Sequence, residues 1–76
     1  MTMHTPEKFV VGETVSRFVG EDKWDVVVTE AYDNAVTIFD WSGEIIYTPR
    51  LSDGKYVKLG SPDYEVMPDM ITHAKL

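Results

Sequence analysis

A chain of 76 residues with 13 acids, 7 bases and no cysteine makes a single thin-cored domain, burying only about 60% of the surface its unfolded form would expose. Disulfide staples and thiolate metal sites are excluded, and a formal charge of −6 opposes the phosphates of nucleic acid. No apolar run is long enough to span a bilayer and none of signal-peptide length opens the chain, so a soluble cytoplasmic protein without membrane contact is expected.

In chain order, residues 1–9 read as a flexible N-terminal segment. Thr5-Pro6-Glu7 offers a capping hydroxyl, a first-turn proline and an early acid, enough for one helical turn at most. A first strand is expected over residues 14–18, with Val15 and Phe18 as core residues. Because these two do not share a period of two, a bulge or bend near Arg17 is implied. Gly20-Glu21-Asp22-Lys23 is a polar loop. Residues 24–41 then form the strongest strand-turn-strand signal, two β-branched runs flanking Tyr32-Asp33-Asn34. Centred on Asp33, the turn pairs Val28 with Ile38, Val26 with Asp40 and Glu30 with Val36, and on the other face Val27 with Phe39 and Asp25 with Trp41. A one-residue slip would oppose apolar to polar residues.

Gly43 suits a tight turn into a strand over residues 44–47, which Pro49 ends because it cannot donate to a ladder. Residues 56–59 form a further short strand with Val57 and Leu59 on one face. A last strand is expected over residues 64–67, stopped by Pro68, and residues 71–76 form an unpatterned C-terminal tail. Five or six short strands at this spacing predict an all-β antiparallel fold, and at this length a barrel removes exposed edges most economically.

The stretch Val11-Gly12-Glu13-Thr14-Val15, then Trp24-Asp25-Val26-Val27-Val28, then Ala35-Val36-Thr37-Ile38-Phe39-Asp40, resembles the opening of SH3-like barrels of the Tudor and KOW type. The resemblance covers roughly residues 10 to 60 and implies one five- to six-stranded SH3-like barrel spanning residues 10–70. Tudor domains read methylated lysine or arginine with a cage of aromatics and an acid. The positions that look similar are Trp24, Tyr32, Phe39 and Trp41 with Asp40. By the register above, Trp24 and Asp40 lie on the face opposite Phe39 and Trp41, so a shared cage requires a strong strand bend. KOW modules contact RNA or RNA polymerase, and an acidic hairpin leaves the protein contact as the better match.

Residues 21–44 carry Glu21, Asp22, Asp25, Glu30, Asp33, Asp40 and Glu44 against Lys23 alone, which is the whole net charge of the chain. This field attracts basic partners. Catalytic chemistry finds no clear home. His4 and His73 stand near the termini without metal-ligand spacing, the four serines have no neighbouring histidine, and the glycines are scattered singly at turns. No enzyme activity, metal or cofactor is expected. The expected function is a protein-interaction module that offers Trp24, Asp25, Val27, Phe39, Asp40, Trp41 and Glu44 to a basic protein surface. A narrower form is a small phage or mobile-element inhibitor that occupies the nucleic-acid site of a host RNA polymerase or nuclease. The alternatives are an aromatic-cage reader of a cationic ligand and a subunit of a homo-oligomer built by edge-strand pairing.

Overall fold

A computed structural model describes residues 8–74. Six strands form in chain order: β1 (Thr14–Val19), β2 (Asp22–Tyr32), β3 (Ala35–Asp40), β4 (Gly43–Pro49), β5 (Tyr56–Lys58) and β6 (Met70–His73). Each pairs antiparallel with its neighbour, and β6 returns to β1, so the sheet is a closed barrel. The fold is all-β, as expected, and its size and topology are compatible with an SH3-like barrel. The helical turn expected at Thr5-Pro6-Glu7 lies outside the described residues.

Two-residue connections join the first four strands. The ladders close on Val19 with Asp22, Tyr32 with Ala35, and Asp40 with Gly43. Gly43 has φ of +119°, a conformation that a side chain would disfavour, and this lets so short a turn re-enter the ladder.

The alternation of residues 24–41 sorts the hairpin as expected. Val26, Val28, Val36 and Ile38 are buried, whereas Val27, Phe39 and Trp41 face solvent. Val28 pairs with Ile38, but beyond it the expected register fails: Glu30 meets Thr37, Ala31 meets Val36 and Tyr32 meets Ala35. The turn Asp33-Asn34 and the core pair Val28–Ile38 demand registers that differ by one residue. Thr29 is the extra residue that absorbs the difference as a β-bulge, and its hydroxyl donates to the Thr37 carbonyl at 3.2 Å. A bulge bends its strand, and this one falls where β2 leaves β1, with which residues 22–27 pair, and joins β3.

Three further expectations are corrected. No bend occurs at Arg17, because β1 pairs in unbroken register with both β2 and β6 there. Val15 and Arg17 share the buried face and Phe18 is only half-buried. Ser16 between them is buried as well, so β1 is covered on both faces at its centre, with an arginine in a core position. The last strand is β6 and not residues 64–67, where Tyr64 and Val66 are exposed. The segment expected to be a tail instead supplies Ile71, 1% exposed, to the core. Phe9, assigned to the loose N-terminal segment, is buried too. It stacks on His73 at 4.1 Å and meets Tyr56 edge-on at 5.0 Å. With Val15, Val26, Val28, Val36, Ile38, Tyr47 and Ile71 it forms the core cluster.

The loops after β4 and β5 are tied together by Arg50. Its Nε and Nη2 donate to both oxygens of Asp53 at 3.2 and 2.7 Å, and its Nη1 donates to the Glu65 carbonyl at 2.9 Å. Arg50, assisted by the Lys55 amide, holds the Asp53 carboxyl down from 3.8 to about 2. A depressed carboxyl stabilises the fold above its unfolded pKa and loses that contribution as pH falls through the folded value. Melting temperature is therefore expected to drop between about pH 4 and pH 2, and Asp53→Asn to flatten that drop. A variant with the parental acid profile would contradict the assignment.

Candidate functional site

One end of the barrel is closed by an ionic knot. The Arg17 side chain is only 9% exposed. Its Nε and Nη2 donate to the two oxygens of Asp69 at 3.1 and 2.7 Å, and its Nη1 donates to Asp40. Bidentate charge-assisted bonds of this kind fix geometry as well as energy. The buried Tyr47 hydroxyl donates to Asp69 at 2.6 Å. Burial first, and then the bond to Asp69, push its phenol above the usual range, so it acts as a neutral donor. The bond to Asp69 likewise raises the Arg17 guanidinium, which stays charged. Asp40 uses its second oxygen to accept the Ser42 hydroxyl and backbone N–H, both at 2.7 Å. The Ser42 hydroxyl foremost, with Arg17 adding to it, holds the Asp40 carboxyl below its ordinary range against the opposing effect of burial.

The aromatic residues of the hairpin divide around this knot. The ring of Trp24 lies over the Arg17 guanidinium at 5.1 Å and packs against Trp41 at 5.7 Å. Trp24 and Asp40 are thus brought together on the chain's own arginine, and Trp41 joins them through the ring of Trp24. Trp41 lies in the two-residue turn between β3 and β4, outside either strand, so the alternation expected from β3 does not fix its side and its ring meets Trp24. Phe39 stays on the outer face. Tyr32 stands at the far end of β2, eight residues from Trp24 and so about 26 Å away along the strand. Its hydroxyl donates to Glu30 at 3.2 Å, and the Glu30 charge raises its pKa.

Phe39 has company on the outer face. Val27 is 48% exposed, Phe39 58% and Ile46 41%. They stand on β2, β3 and β4, with Glu44 directly opposite Phe39 and Thr37 opposite Ile46. Asp25 lies two residues from Val27 on the same face of β2 and is exposed. The hairpin's acids also divide. Asp40 is turned inward, whereas Glu21, Asp22, Asp25, Glu30, Asp33 and Glu44 are all exposed. An apolar stripe crosses three strands inside an acidic border.

Known protein families, characterised proteins and solved structures return no match to this chain.

Sequence reasoning missed Arg17, Tyr47 and Asp69. The phase of Arg17 with Val15 was the one available signal, since a period-two strand places residue 17 on the face of residue 15. It also missed a second exposed apolar group, Leu51, Tyr64, Val66 and Met67, which the two Arg50-tied loops hold in solvent. Among the described residues no helix is long and apolar enough to cross a membrane.

Proposed function

We propose that this chain is a non-enzymatic protein-interaction module whose outer β2–β3–β4 face docks on a basic protein surface. The observation that carries the reading is the apolar stripe Val27–Phe39–Ile46, exposed on the same strands whose other faces form the core and bordered by Asp25 and Glu44. Acids on the border steer encounter with a basic partner and the apolar centre supplies contact energy. Residues with an apolar body at the centre of such a patch dominate binding.

The narrower form is inhibition of a nucleic-acid enzyme of a phage or mobile-element host. A compact chain with six exposed acids between residues 21 and 44 offers a DNA-binding groove the charge it is built to receive. The Tudor-type reading of a cationic ligand has less support, because Trp24 already faces Arg17 and Asp40 already pairs with it.

Affinity capture from the source cell at low and high salt tests the main reading. Asp25→Lys with Glu44→Lys is expected to abolish capture of the partner. Phe39→Ser is expected to weaken it about ten- to a hundredfold, the worth of one buried aromatic. A partner retained equally by all variants would sink the proposal. All three positions are exposed and outside the knot, so the fold is expected to survive these changes.

A further inference from the structure

Several strands outrun a neighbour in this barrel, and at one such place, between β4 and β5, the uncovered edge opens onto a groove. β4 spans seven residues and β5 only three, and β5 pairs with residues 47–49 of β4. The Leu59 N–H still donates to the Ile46 carbonyl at 2.8 Å. Then Gly60, with φ of +94°, and the bond from the Ser61 N–H to the Lys58 carbonyl turn the chain away. Among the described residues, residues 43–45 of β4 have β3 on one side and no strand on the other.

Alternation along a strand decides which groups this strands. The Ile46 carbonyl points toward β5, so the Ile46 N–H points the same way. Two residues earlier, so do the N–H and carbonyl of Glu44. They open onto a groove of about 410 Å³ whose lining includes Arg17, Ser42, Glu44, Ile46, Lys58 and Leu59. Arg17 is already engaged with Asp40 and Asp69. Two exposed charges line the groove, Lys58 on β5 and Glu44 at the unpaired part of the edge, and the apolar surface beside Glu44 comes from Ile46 and Leu59, 41% and 57% exposed.

We infer that this edge takes up an extended segment of the partner as an added strand, occupying the line that β5 abandons at Gly60. Main-chain pairing to an exposed edge is a general mode of peptide recognition. The added strand carries a lysine or arginine across from Glu44 and, two positions along on the same face, an apolar residue beside Ile46 and Leu59. A second copy of the chain fits poorly. Two-fold pairing centred on Glu44 sets that acid against itself, and each copy brings a charge of −6. This inference rests on the proposed basic partner and specifies how that partner is held.

The probe is the acetylated, amidated heptapeptide Lys-Thr-Val-Thr-Lys-Thr-Val, which puts lysine and valine in succession on one face of a strand, added to the whole protein and followed by amide NMR and hydrogen exchange. Saturable shifts centred on Glu44 and Ile46 are expected, with both amides exchanging more slowly. Methylating the peptide's backbone nitrogens, which keeps its charge and most of its apolar surface, is expected to weaken binding at least tenfold. Glu44→Pro, which removes a donor aimed into the groove and not toward β3, is expected to weaken it more than Glu44→Gln does. Equal binding of the methylated peptide would overturn strand addition while leaving the acidic docking face intact. Absence of shifts at Glu44 and Ile46 up to millimolar peptide would also overturn it, as would slowing of those amides by protein concentration alone. Failure of the docking face itself would appear separately, as partner capture indifferent to Asp25→Lys, Glu44→Lys and Phe39→Ser.

Discussion

Arg17→Met is expected to be among the most damaging single substitutions in the barrel, at about 3–5 kcal/mol, because it leaves buried carboxylates without their cation. The side chains of Asp40 and Asp69 are 3% and 16% exposed, so water replaces the guanidinium poorly. The scale matters in a chain of this length, whose total stability is on the order of 4–11 kcal/mol. The loss belongs to the stranded acids and not to any intrinsic worth of the ion pair. Adding Asp40→Asn and Asp69→Asn to Arg17→Met is therefore expected to recover a good part of it, since neutral partners cost far less to bury. Urea titrations of the single and triple variants measure both effects. A single variant within about 1 kcal/mol of the parent would mean that the knot is solvated and contributes little.

Ile71→Ala is the second large effect, expected at about 2–5 kcal/mol from lost burial and the cavity left behind. Ile71 is 1% exposed and sits opposite Arg17 on β1. Val66→Ala provides the contrast. Val66 is 89% exposed, and a change there is expected to stay within about 0.5 kcal/mol. Thermal melts of the two variants decide where the last strand lies. Equal small effects would return residues 71–74 to a tail, and a large effect at Val66 would restore a strand over residues 64–67.

These two substitutions also mark where the sequence was hard to read. The inner face of the hairpin was legible because Val26, Val28, Val36 and Ile38 repeat with period two across a turn. The outer position of Phe39 and Val27 followed from the same alternation. β6 was not legible, because Met70-Ile71-Thr72-His73 contributes one fully buried residue and no repeating pattern, whereas Tyr64-Glu65-Val66-Met67 has the better strand propensity. Propensity lost there to the need for a strand that could close on β1. Arg17 was misread because its burial depends on Asp40 and Asp69, 23 and 52 residues away, and nothing local announces either partner. The bulge at Thr29 was hidden for a similar reason. It is dictated by which two residues make the turn, and moving the turn by half a position changes every pair beyond it.

The ionic knot has a bearing on how the barrel selects one closure from several. A slip of β6 by one residue along β1 would turn Ile71 out to solvent, and the apolar pattern alone rejects it. A slip by two residues keeps inward side chains inward, so hydrophobic alternation is nearly blind to it. That slip would carry Asp69 about 7 Å along the strand direction, out of reach of both Arg17 and Tyr47. Errors of even step, which burial tolerates, are the ones that the Arg17–Asp69 pair detects.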